Sequence, residues 1–188
     1  MYTICYVEDE ADLSTLIKTY LEKAGYKVVC FDKGLDAINY IGEKVDLWIL
    51  DIMLKDGVSG YDIIKEIREK DLTTPVIFTS ARDHDLDKIL GLELGSDDYI
   101  TKPFSPKELV LRVNNIIKRV YDSKEVNAIN YLDYVIDIKR RNVFLDKKEI
   151  KLTTLEFDLL FLFIKNTDKS FSREEILSDV WGDDYFGS

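Results

Sequence analysis

The chain has 188 residues, 46% of them hydrophobic, and a formal net charge of −10. That length accommodates one domain or two small ones with a packed core, and the acidic balance opposes unaided binding to nucleic acid or anionic lipid. No N-terminal apolar segment resembles a signal peptide and no apolar run is long enough to cross a bilayer, so the expected location is the cytosol.

Short apolar runs alternate with amphipathic segments from the N-terminus onward. Thr3 to Val7, Lys27 to Phe31, Leu47 to Leu50, Val76 to Phe78 and Tyr99-Ile100 read as five strands. Leu13/Leu16/Ile17/Tyr20/Leu21, Leu35/Ile38/Ile41, Ile63/Ile64/Ile67, Ile89/Leu90/Leu92/Leu94 and Leu109/Val110/Val113/Ile116/Ile117 recur near helical spacing between and after them. Five βα units predict an α/β domain, a parallel sheet with helices on both faces. Gly25 suits the end of the first helix, and Ser105-Pro106-Lys107-Glu108 is a capping-box start. Cys5 and Cys30 lie in apolar strand-like runs and read as small core residues, not as a disulfide or a metal pair.

The pattern changes after Tyr121. Residues 122–128 are poor in apolar side chains and read as a linker between a domain at 1–121 and a second part at 129–188. Tyr131 to Leu152 alternates apolar and polar residues around two turn-like clusters, the pattern of short antiparallel strands. Thr153 to Glu156 and Ser172 to Glu175 then open two apolar helices. A turn-like tail, Gly182 to Ser188, follows.

The ends of the predicted strands carry the chemistry. Val7 is followed by Glu8-Asp9-Glu10, the third strand ends in Asp51, the fourth in Thr79-Ser80 and the fifth in Thr101-Lys102-Pro103. If the first strand lies beside the third, these groups meet at one sheet edge, where open α/β sheets place their sites. Crowded carboxylates repel unless a cation neutralises them, and Mg²⁺ with oxygen ligands suits such a set. Asp51 would then be a nucleophile toward a phosphoryl donor, forming an aspartyl phosphate. Asp9 would bind Mg²⁺ directly, Glu8 through water, and the backbone carbonyl of Met53 would complete the protein ligands. Lys102 would contact the phosphoryl group and the Thr79 hydroxyl would hydrogen-bond one of its oxygens.

The motifs VEDE, DIML, FTSA and DDYITKPFSPKEL resemble those of two-component response-regulator receiver domains, in the OmpR/PhoB subfamily with a winged-helix output. The resemblance implies a flavodoxin-like receiver with parallel strand order 2-1-3-4-5, a histidine kinase as phosphodonor, and a cis bond before Pro103. Acceptance and slow loss of the phosphoryl group would be the chain's only chemistry, so it is not expected to be an enzyme. Thr79 and Tyr99 match the family's switch positions. Its phosphorylated form pairs as a homodimer through the fourth helix, fifth strand and fifth helix. Lys88, Asp97, Asp98, Glu108, Arg112 and Arg119 match the charged positions of that face, with Ile89, Leu92 and Val110 as its apolar patch. Leu90 and Asn114 stand where many relatives carry basic residues.

The second part resembles the start of the subfamily's winged-helix domain but stops before a recognition helix and wing. The complete family member is therefore expected to regulate transcription by binding DNA, while this polypeptide is not expected to bind DNA specifically. Its densest basic cluster is Lys139-Arg140-Arg141. A Mg²⁺ phosphatase of the haloacid-dehalogenase kind would need an acid two residues after the nucleophile, where Met53 stands. A receiver acting only as a phosphorylation-independent docking module would have lost its acceptor or metal ligands, and all are present.

Overall fold

Each of the five apolar runs becomes a strand, and in the computed structural model they form one parallel sheet. The structure describes residues 1–81, 85–121, 128–138, 140–146 and 148–181; the side chains of residues 85, 86, 88 and 181 lie outside that description. Strands β1 (Thr3–Val7), β2 (Lys27–Phe31), β3 (Leu47–Asp51), β4 (Val76–Ser80) and β5 (Asp98–Thr101) lie in the order 2-1-3-4-5. All four pairings are parallel. Helices α1 (Ala11–Lys23), α2 (Gly34–Asn39), α3 (Gly60–Lys70) and α4 (Asp85–Glu93) make the crossovers, and α5 (Pro106–Tyr121) follows the last strand.

Every residue of β3 and β4 is buried, as expected of central parallel strands covered on both faces. Cys5, Val7, Trp48, Leu50, Val76 and Phe78 pack with Ala37 of α2 and Ile63, Ile64 and Ile67 of α3. A fully buried Val, Leu, Ile or Phe among them contributes about 1.5–3 kcal/mol through burial. By strand alternation the neighbouring Ile4, Tyr6, Ile49 and Ile77 face the other side, and these too are fully buried. Ile41 falls outside the short α2 and joins an isolated bridge to Glu43. Cys5 is a buried free thiol and Cys30 a partly buried one.

Helix ends follow local chemistry. Gly25 takes a φ of +94° just after α1, a left-handed conformation that costs glycine little. Ser59 and Asp62 form a reciprocal capping box at the start of α3, with Asp in place of the usual Glu or Gln.

The second part holds an antiparallel sheet of β6 (Ile129–Tyr131), β7 (Tyr134–Asp137), β8 (Asn142–Leu145) and β9 (Lys148–Ile150), paired in sequence order. Helices α6 (Thr154–Lys165) and α7 (Arg173–Trp181) follow. Capping boxes at Thr153/Glu156 and Ser172/Glu175 start both, where the sequence places them. Ile136, Ile138, Val143 and Phe157 form a small core here. The sheet, the helices and the receiver-like topology match the fold class read from the sequence.

Contacts divide the chain into units Met1–Asn114 and Asn115–Ser188. The division falls inside α5, earlier than the boundary at 121 read from composition. Most of the expected linker, residues 122–127, and the tail 182–188 lie outside the described residues. Among the described residues no helix is long and apolar enough to cross a membrane.

Candidate functional site

Strand order brings the strand-end groups together. Val7 of β1 is in register with Leu50 of β3, and Asp51 with Thr79 of β4. Ser80 in turn is in register with Thr101 of β5. Glu8 and Asp9 therefore emerge beside Asp51, with Lys102 reaching in from beyond β5. Glu8, Asp9 and Asp51 each offer a carboxylate oxygen, all within 4.8 Å of one another, a set able to hold a metal ion.

Lys102 Nζ stands 2.6 Å from Glu8 Oε2 and 2.6 Å from Asp51 Oδ2. Burial alone would lower the affinity of the Lys102 amine for its proton, but the Asp51 and Glu8 carboxylates outweigh that and keep it above the ordinary lysine range. Glu8 is pushed up, chiefly by burial and further by the Asp51 charge, against the opposing pull of Lys102. The Tyr6 hydroxyl donates to Glu8 Oε2 at 3.0 Å. Asp51 Oδ1 accepts from the Met53 amide at 2.9 Å, which tethers the loop carrying the Met53 carbonyl. Gly60 allows α3 to begin against β3, since a Cβ there would lie 2.6 Å from the Asp51 carbonyl oxygen.

Thr79 is fully buried and its hydroxyl has no hydrogen-bond partner among the described residues, an arrangement that costs stability unless a ligand completes it. Tyr99 is half-buried on β5, its ring centroid 6.5 Å from that of Phe78. The Lys102–Pro103 peptide is cis. Lys55, which the sequence reading did not single out, places Nζ 2.9 Å from Asp9 Oδ2. No local signal marks it, because the contact joins two loops from different strands.

The surface of α4, β5 and α5 is a mixed result. Ile89 is 50% exposed and Leu92 40%, Val110 is half-buried, and Leu111, not anticipated, is exposed as well. Asp98 and Glu108 both bind Arg112 within the chain, at 3.0 and 2.9 Å. Asp97 corrects the expectation of a surface charge. It is 1% exposed, accepts from the Val76 amide at 2.9 Å, and lies 3.7 Å from the Arg68 guanidinium. A carboxylate with such partners stays in the core because leaving would break them.

Arg119 Nε lies 2.9 Å from Asp158 Oδ2, and its guanidinium also donates to the Val180 carbonyl near the end of α7. The Lys88 side chain is outside the described residues. Asn114 accepts from the Tyr26 hydroxyl at 2.6 Å. The basic cluster at 139–141 is less available than its composition suggests. Arg140 pairs with Asp137 at 3.1 Å and Arg141 with Asp158 at 2.6 Å, while Lys139 lies outside the described residues.

A doubly wound α/β unit with strand-end carboxylates, a bridging lysine and a buried hydroxyl has the architecture of a receiver domain. The family model "Response regulator receiver domain" matches residues 4–114, and "Transcriptional regulatory protein, C terminal" matches 146–188. The chain is 49% identical over 191 residues to the Transcriptional regulatory protein CssR of Bacillus subtilis, covering 100% of this chain and 84% of that protein. It is similar to DrrB, a Thermotoga maritima OmpR/PhoB homolog, with a TM-score of 0.61 and 34% identity over 97% of this chain and 81% of DrrB. A BeF3-activated DrrB receiver domain matches with a TM-score of 0.57 and 35% identity, over 61% of this chain and 95% of that one. The chain belongs to the response regulators of two-component systems, of the OmpR/PhoB type, with a receiver and a DNA-binding domain.

Proposed function

We propose that Asp51 accepts a phosphoryl group from a sensor histidine kinase and that this charge switches the receiver between solitary and paired states. A single observation supports the reading most: Asp51 clusters with two further carboxylates and the Lys102 ammonium at one sheet edge, in register with Thr79, whose buried hydroxyl has no hydrogen-bond partner among the described residues. In the transfer an Asp51 oxygen attacks phosphorus, the P–N bond to the kinase imidazole breaks, and the ring keeps the electron pair and takes up a proton. Lys102 holds a phosphoryl oxygen by charge, and Thr79 gains the acceptor its hydroxyl lacks. Chemistry beyond acceptance and slow hydrolysis is not required of the chain.

The carboxylate cluster fits a divalent cation, with Asp9 and Asp51 as direct ligands, Glu8 through water, and the Met53 carbonyl completing the protein donors. Mg²⁺ bound there would offset charge on the transferring oxygens. The BeF3-activated form of the DrrB receiver favours an acceptor of this kind over a docking module indifferent to phosphorylation.

For pairing, a two-fold contact through Ile89, Leu92, Val110 and the exposed Leu111 would bury apolar surface, with Asp98, Glu108 and Arg112 at its margin exchanging partners between copies. Asp97 takes no part, being committed to the core, and Arg119 joins only on leaving Asp158. Thr79 and Tyr99 would carry the signal from the pocket to that face. The output domain at the C-terminal side of the chain is the part directed to DNA.

The test is incubation with Mg²⁺ and a small acyl-phosphate donor, followed by intact-mass measurement and light scattering. The wild type gains one phosphoryl group and shifts toward dimer, and Asp51→Asn does neither. Equal phosphorylation of both proteins would place the acceptor elsewhere.

A further inference from the structure

The loop after β3 is pinned at several points. The Met53 amide donates to Asp51 Oδ1 at 2.9 Å. Asp56 accepts from the Leu35 amide at 3.3 Å and from the Val58 amide at 3.4 Å. Gly57 turns the chain with a φ of +86°. Lys55 projects from this fixed turn with its side chain 81% exposed, yet its Nζ lies 2.9 Å from Asp9 Oδ2. That oxygen is buried, and Lys55 meets it as a counter-ion.

We infer that Lys55 is a built-in competitor of the divalent cation: its ammonium takes up the charge of Asp9 when the metal is absent and must be displaced when the metal binds. The inference rests on the reading of Glu8, Asp9 and Asp51 as a metal site, and deepens it by naming what sets the affinity of that site. The remaining charges are already partly matched, because Lys102 spans Glu8 and Asp51. Asp9 is left to Lys55 or to a metal. A lysine head this exposed gives up its partner at little cost, so it tunes affinity without blocking the site. It also makes affinity depend on salt, since added ions screen the exposed lysine more than the recessed carboxylates. Lys55 is a positioning residue for charge, with no contact to the acceptor oxygen required of it.

The experiment is a Mn²⁺ titration of the full chain followed by the free-ion EPR signal, with Mg²⁺ competition, for wild type, Lys55→Ala, Lys55→Arg and Asp9→Asn. Removing one unit charge beside the metal position tightens binding about threefold to tenfold in Lys55→Ala. Lys55→Arg stays within about twofold of wild type, because the charge is retained. Added metal also raises the melting temperature of Lys55→Ala by more than it raises that of wild type. Intact binding with equal affinities in wild type and Lys55→Ala overturns this inference alone. Absence of binding in wild type, or undiminished binding in Asp9→Asn, overturns the metal-site reading and the inference with it.

Discussion

Lys102 and Glu8, ninety-four positions apart, meet at 2.6 Å, and the same ammonium nitrogen lies 2.6 Å from Asp51. One cation thus holds two recessed carboxylates that would otherwise repel each other. Lys102→Met leaves both without it, and the expected loss is about 1–3 kcal/mol in urea unfolding at neutral pH. Millimolar Mg²⁺ should recover part of that loss. Equal stability of variant and wild type without metal would mean that the carboxylates need no counter-charge.

Thr79→Val separates stability from function. The buried hydroxyl has no partner among the described residues, so an isosteric apolar replacement is neutral or stabilises by up to about 1 kcal/mol. The same variant should show a changed lifetime of the phosphorylated state, followed by intact mass over time. A clear fall in melting temperature would show that the hydroxyl is already bonded in the resting protein.

Gly60→Ala strikes the strand that carries Asp51 directly. Its Cβ would sit 2.6 Å from the Asp51 carbonyl oxygen and 3.1 Å from the Ile52 Cα, backbone atoms with no easy escape. The expected cost is about 1–3 kcal/mol, with slower phosphorylation because Asp51 shifts. Circular-dichroism melts and phosphorylation time courses check both.

Asp71 supplies a pH signature away from the site. Burial favours its neutral form, but hydrogen bonds from the Thr74 and Thr73 side chains and amides outweigh that and hold the carboxyl below its ordinary range. A depressed folded value means the stabilisation is full above the unfolded-state value and is lost as pH falls through the folded one. Asp71→Asn should therefore be less stable than wild type at neutral pH, and the gap should close as the solution is acidified through that window. A gap that does not change with pH would assign the effect to packing.

Asp158 serves two arginines, with Arg141 at 2.6 Å and Arg119 at 2.9 Å, while the Arg141 guanidinium stacks 4.5 Å from the Phe157 ring centroid. Burial pushes the Asp158 carboxyl up, against the pull of both arginines. Asp158→Ala strands two cations, and the expected cost is about 3–5 kcal/mol for the unit that holds them. Hydrogen exchange at the α6 amides reads it, and unchanged protection would contradict the arrangement.

Much of this was legible locally. Apolar runs of two to five residues, helical spacing and Ser/Thr capping boxes identify elements because hydrogen bonding and side-chain direction operate over one to four positions. The carboxylates at strand ends followed from the same reading, since a buried run that ends in Asp delivers it to the sheet edge. Strand ends were less legible. Asp51, Thr79 and Thr101 lie inside β3, β4 and β5, because neighbours supply hydrogen bonds past the last apolar residue.

Charge partners were decided by the folded chain. Asp97 looks like any acidic residue of a polar loop, and it becomes a core group only because α3 brings Arg68 beside it. Lys55 reaches Asp9 across two crossovers, and Arg119 of α5 reaches Asp158 of α6 although a four-stranded sheet separates them in sequence. An ion pair depends on distance in space and on how much water is excluded, and neither is written in the order of residues along a strand or helix. Local pattern therefore determined which elements form and where reactive groups emerge, whereas tertiary packing decided which charges face one another and which remain free to bind.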